Sequence, residues 1–126
     1  MTIEQRLKNL SVPKGKIDVA LDTDTYNEID DQFALAYLLS SKEKLNTKAI
    51  YAAPFFNARS NGPEEGMEKS YAEIKNILSL MKENVEVFKG SKSYLADENT
   101  PVESDAADDL IKRAKSYSAE KSLYVV

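Results

Sequence analysis

Residues 17–24 read Ile17-Asp18-Val19-Ala20-Leu21-Asp22-Thr23-Asp24, and Phe33-Ala34-Leu35-Ala36-Tyr37-Leu38-Leu39 follows nine residues later. The first run is short, mostly apolar and rich in β-forming residues up to Leu21, as a buried strand is. The second is apolar nearly all round, the pattern of a helix packed deep against a sheet. Between them Asp22, Asp24, Glu28, Asp30 and Asp31 place five carboxylates within ten residues. Such a concentration is repulsive unless a cation or a proton offsets it. Asp30 and Asp31 also stand at the helix start, where negative charge complements the helix dipole. A solvated acidic loop with a helix cap is therefore the plain alternative to a metal site.

The rest of the chain repeats the strand-then-helix alternation. Residues 2–10 form an amphipathic helix capped by Thr2, with Ile3, Leu7 and Leu10 on one face, ended by Pro13 and Gly15. Lys48 to Ala53 reads as a second strand stopped by Pro54, followed by a polar loop from Phe55 to Pro63. Met67, Tyr71, Ile74, Leu78 and Met81 recur at helical spacing and form a core stripe rather than a cofactor box. Val85 to Phe88 is a third strand, ended by Gly90. Ser104 caps a last helix whose Ala107, Leu110, Ile111, Ala114 and Tyr117 share a face, and Asp108 and Asp109 read as its solvated side. Leu123 to Val126 opens a fourth strand.

Four alternations predict one α/β domain over residues 1–126: a parallel sheet of about four strands with helices on both faces. In such sheets ligands bind beyond the carboxyl ends of the strands, where the Asp22 and Asn57 loops both fall. A chain that stops inside an apolar strand is expected to be the N-terminal part of a longer fold.

Composition narrows the chemistry. The 126 residues hold 17 Lys and Arg against 21 Asp and Glu, a net charge of -4, so a non-specific nucleic-acid binder is not expected. Cysteine and histidine are both absent. Thiolate and imidazole ligands are thereby excluded within this chain, and a metal held by it must be a hard cation on oxygen. No apolar run has the length of a membrane span or a signal peptide, and a cytoplasmic location is the default expectation.

An EF-hand is excluded, because counting from Asp22 puts Asn27 at its glycine position and Phe33 at its terminal glutamate position. Asp22-Thr23-Asp24 after a strand also resembles the nucleophile loop of magnesium-dependent haloacid-dehalogenase-type phosphatases, with Asp22 as nucleophile. That pattern needs threonine two residues after the second aspartate, where Tyr26 stands.

The fuller resemblance is to the inosine-uridine-preferring nucleoside hydrolase family, whose fingerprint is a strand running into Asp-x-Asp-Pro-Gly-x-Asp-Asp and an apolar helix. Asp22, Asp24, Asp30 and Asp31 match its aspartates, Asn57 its ribose-holding asparagine, and Gly90 the glycine after its third strand. Residues 104–126 look like the helix and strand that precede a Gly-x-x-Thr-Asn turn in the family. The match covers the family's N-terminal part only. In place of Pro-Gly stands the longer Thr25-Tyr26-Asn27-Glu28, and the family's later calcium ligands and its histidine near the leaving base lie beyond Val126.

The resemblance implies a Rossmann-like nucleoside hydrolase core that cleaves the N-glycosidic bond of a ribonucleoside with a calcium-bound water. Asp24 would then be a calcium ligand and general base, Asp31 the second calcium ligand, and Asp30 and Asn57 contacts to the ribose. Asp22 would orient the loop from behind, or serve only as its structural anchor. Asn57 has a plainer reading as a turn residue, and Tyr26 as an exposed turn tyrosine. The expected partners are a small-molecule substrate and further copies of the chain in a homo-oligomer, with no nucleic acid and no membrane. The 126 residues alone are expected to be inactive, and a non-enzymatic metal-binding fragment is the third reading beside hydrolase and phosphatase.

Overall fold

A computed structural model describes residues 2–126. Four strands, β1 (Ile17–Thr23), β2 (Leu45–Ala52), β3 (Val87–Lys89) and β4 (Leu123–Val125), alternate with helices α2 (Ile29–Ser40), α3 (Pro63–Met81) and α4 (Asp105–Ala114). A short helix, α1 (Ile3–Asn9), precedes them, closed by a capping box in which Thr2 and Gln5 bond each other's backbone N–H. All pairings are parallel, in the order β3-β2-β1-β4. The chain thus steps outward from β1 to β3 and returns to the far side of β1. In open α/β sheets ligands bind at such a reversal, here the carboxyl end of β1.

Alternation of side chains along β1 and β2 builds one core on each sheet face. Ile50 and Ala52 meet Leu35 and Leu39 of α2 and Ile74, Ile77 and Leu78 of α3. Ala20, Ala49 and Tyr51 meet Ala106 of α4 on the other face, with Phe88, Leu110 and Leu123 around them. The expected parallel α/β sheet with helices on both faces is what the chain forms. Gly66 shows how closely α3 seats: an added Cβ would stand 1.9 Å from the Phe55 carbonyl oxygen.

Several local expectations are corrected. The apolar stripe of α1 is not buried: Ile3, Leu7 and Leu10 lie open to solvent. α2 is not enclosed all round either. Leu35, Leu38 and Leu39 are buried, whereas Ile29, Phe33 and Tyr37, one helical turn apart, are exposed. Only the side turned to the sheet and α3 has a partner. The packing side of α4 is rotated from the expected one, with Ala106 buried, Leu110 half-buried and Ile111 exposed. The reason is polar: Tyr51 donates to Asp109 (2.9 Å), which also takes two hydrogen bonds from Arg113 (2.9 and 3.0 Å). Asp109 is therefore an anchor between α4 and the sheet, not a solvated residue. Desolvation and that Asp109 partner push the Tyr51 phenol up to about 12. β3 starts at Val87, two residues later than expected, and β2 starts at Leu45, three residues earlier.

Candidate functional site

β1 delivers the acidic loop to the carboxyl edge of the sheet. Ala53 N–H donates to Thr23 O (2.9 Å), so the sheet ladder runs to the last residue of β1 before the chain turns away. The turn closes with Asn27 N–H donating to Asp24 O at 2.7 Å. Two threonines then fix the loop from below. Thr23 Oγ1 donates to Asp31 Oδ1 at 3.0 Å, and the Thr23 and Thr25 hydroxyls are 3.0 Å apart. A hydroxyl has one proton, and that of Thr23 goes to the carboxylate, so Thr25 must be the donor between the two. Both threonines are buried, and no buried side-chain polar atom among the described residues lacks a partner.

This chain of hydroxyls changes how the start of α2 is read. The helix is capped by Glu28 without a side-chain bond, and the Asp31 carboxylate turns to Thr23 instead of to the helix amides. Desolvation raises the Asp31 pKa, and the Asp24 carboxyl, which stands against it, raises it further, as does the charge of Asp30; the Thr23 bond only partly opposes these. The structure thus brings Asp24 and Asp31 together at the carboxyl edge of the sheet. Asp30 is exposed beside them.

Asp22 points elsewhere. By strand alternation its side chain lies on the α4 face, lining a cavity of about 290 Å³ with Tyr51, Pro54, Leu95, Ala106 and Leu110. Among the described residues its carboxylate has no hydrogen-bond partner. Desolvation, then the nearby charge of Asp24, pushes its pKa up. It shares the electrostatics of the acidic loop without being tied to it.

Asn57 joins the site through a residue that sequence reading passed over. Asn27 Nδ2 donates to Asp24 Oδ2 (2.9 Å), and Asn57 Nδ2 donates to Asn27 Oδ1 (2.5 Å). Asn57 Oδ1 accepts from Arg59 N–H (2.9 Å), so the residue holds its own turn as well. Arg59 Nη1 donates back to Asn27 O (2.5 Å). Asn27 is the hub between the two loops. It occupies the inserted stretch Thr25 to Glu28, where no pattern marks it. Tyr26 is exposed, as the plainer reading expected, with its ring stacked toward Phe55 (centroids 6.4 Å apart) and Lys69 Nζ 5.9 Å from it.

The arrangement offers a pair of adjacent carboxylates, each held by a hydrogen-bond donor, at the carboxyl edge of the sheet. Among the described residues no three acidic side chains converge as a metal cage. None of the helices among them is long and apolar enough to cross a membrane. No family model, curated protein or solved structure matches this chain.

Proposed function

We propose that Asp24 and Asp31 form half of a calcium-dependent N-ribosyl hydrolase site, on a nucleoside-hydrolase-like core. The observation that carries the reading is the placement of these two carboxylates against each other at the point where strand order reverses. The donor set suits a hard cation. It is all oxygen, in a chain without cysteine or histidine, and the repulsion that raises Asp31 is what a divalent ion would relieve. Calcium takes about 6–8 oxygens, and two carboxylates leave much of that shell to water or to residues outside these 126.

When bound, calcium would lower the pKa of a coordinated water and fix its position. The chain's own groups carry the other tasks. Asp24, steadied by Asn27, accepts the proton of the attacking water. Asp31, steadied by Thr23, adds negative charge next to the sugar, where an oxocarbenium-like state develops positive charge as the base departs. Exposed Asp30 would accept from a ribose hydroxyl. Asn57 uses one Nδ2 proton on Asn27 and one Oδ1 lone pair on Arg59 N–H, which leaves a donor and an acceptor with which it would hold the ribose.

The phosphatase reading requires ionised Asp22 to attack phosphorus. The sequence departs from the phosphatase pattern at Tyr26, where its threonine would stand, which weakens that reading. The deciding measurement is product release from inosine, uridine and a phosphomonoester, with and without calcium, by this chain and by the longest product of its gene. Ribose release by the longer product only is expected. Phosphate release in place of ribose would overturn the proposal.

A further inference from the structure

At the opposite end of the sheet, the amino ends of β1, β2 and β4 border a groove of about 810 Å³. Five lysines line it: Lys8 from α1, Lys14 and Lys16 from the segment entering β1, Lys48 from β2 and Lys121 from the segment entering β4. Two acidic residues, Asp18 and Glu120, lie among them. The groove is thus net positive on a chain whose net charge is -4.

The charge there is only partly offset internally: Lys48 meets Asp18, and Lys8, after the Ser118 hydroxyl, helps hold the Glu120 carboxyl below the ordinary range. Asp18 is already satisfied, by Asn46 (2.5 Å), by the Tyr117 hydroxyl (3.0 Å) and by Lys48 (3.5 Å). Burial opposes its ionisation, but these partners prevail and hold its carboxyl below the ordinary range. Lys48 reaches Asp18 from a register shift, since Val19 pairs with Thr47 and Ala20 with Ala49, leaving Lys48 as the extra residue of β2. Glu120 is exposed and accepts from Ser118 (2.9 Å). Among the described residues Lys8, Lys14, Lys16 and Lys121 form no ion pair. Four lysine charges brought from three separate chain segments to one concavity give it a positive field that a multiply charged anion would complement. Pro13, Ile17 and Tyr124 supply apolar wall, and Asn9, Ser11 and Ser122 supply neutral polar groups.

We propose that this groove binds a small polyphosphorylated molecule, its phosphates among Lys8, Lys14, Lys16 and Lys121. Lysine suits this role as a mobile point charge with three donors. The groove's volume is within the range of about 300–1,000 Å³ usual for small-ligand sites. A nucleoside triphosphate and inorganic tripolyphosphate share the phosphate chemistry and differ in whether a base uses the Tyr124 wall.

Titration calorimetry of the whole chain with tripolyphosphate and with ATP tests this, each at low and moderate salt without divalent ions. Saturable binding that weakens as salt rises is expected. Lys14→Glu with Lys121→Glu, both at exposed positions, should weaken binding at least about tenfold. Tighter binding of ATP would identify a nucleotide as the ligand, and equal affinity the phosphate chain alone. Amide shift mapping on the unsubstituted chain should centre on residues 8–18, Asn46 and residues 119–124. Absence of binding, shifts centred on the acidic loop, binding indifferent to charge reversal in a folded variant, or tighter binding of single-stranded RNA would each overturn the proposal.

Discussion

The two ends of this sheet are built from the same strands and carry opposite charge. At the carboxyl end β1 releases Asp22, Asp24, Asp30 and Asp31 into a loop where Asp24 and Asp31 face each other. At the amino end the same strand carries Asp18 to Lys48, in a groove lined by four further lysines. One aspartate is relieved by its neighbours and the others are strained by theirs, so the Asp18 pKa is lowered while those of Asp22 and Asp31 are raised. Strand polarity is the source of the difference. In an all-parallel sheet every loop after a strand gathers at one end and every segment entering a strand at the other. A charge bias between these two kinds of segment becomes a charge separation across the fold.

Gly66→Ala should break the carboxyl end most severely. A methyl group there would meet the Phe55 carbonyl at 1.9 Å, and backbone on both sides leaves little room to yield. A loss of about 3 kcal/mol or more is expected, read as a lowered urea midpoint, because α3 must lift off the segment on which Tyr26 stacks. An unchanged midpoint would show that α3 seats less tightly than described.

Asp24→Asn should nearly abolish ribose release in any form of the protein that cleaves nucleosides, since it removes the proposed base and a unit of ligand charge. The same variant should leave tripolyphosphate binding unchanged, because Asp24 lies at the other end of the sheet. Cleavage persisting within a few-fold would remove Asp24 from the role of base.

A smaller effect is expected from Asp109→Ala, which leaves the Tyr51 hydroxyl without its acceptor and Arg113 with Glu86 alone (3.1 Å). A loss of about 1–3 kcal/mol follows from leaving such a hydroxyl unpaired. Tyr51→Phe removes only the partner hydroxyl and should cost less. Equal losses would show that Asp109 acts through Tyr51 alone.

The smallest effects are in pH dependence, and there the two ends have opposite sign. The Asp18 pKa is lowered in the folded state, so its contribution to stability is complete above the ordinary value of 3.8 and is lost as pH falls below it. The Asp31 pKa is raised, so it penalises the fold at neutral pH and the penalty lifts as pH falls toward 3.8 through the folded value. Asp31→Asn should therefore raise the urea midpoint near pH 7 and do so less as pH approaches 4. Asp18→Asn should lower the midpoint near pH 7, with the loss shrinking only below pH 4. Parallel profiles for the two variants would erase the contrast between the ends.

Much of the fold was legible because its signals are local. Strand-helix alternation, the Thr2 and Ser104 caps and the Met67–Met81 stripe each depend on residues within a few positions of one another, and each formed. The acidic loop was legible as a site for the same reason: five carboxylates in ten residues need no tertiary context to be noticed.

What the tertiary structure alone decided is which apolar and polar faces acquire partners. Ile29 and Phe33 are apolar like buried Leu35 and Leu39, yet with Tyr37 they lie on the side of α2 that no element covers. Asp109 looked like a solvated carboxylate until Tyr51, 58 residues away in sequence, was brought to it. Asn27 became the link between Asp24 and Asn57, and five scattered lysines became one groove, only when separate loops were placed at the same end of the sheet. Periodicity along a chain reports what a residue can bury or bond. Which neighbour arrives to use that capacity is set by strand order and crossover direction, and these depend on the whole sheet rather than on any one stretch of it.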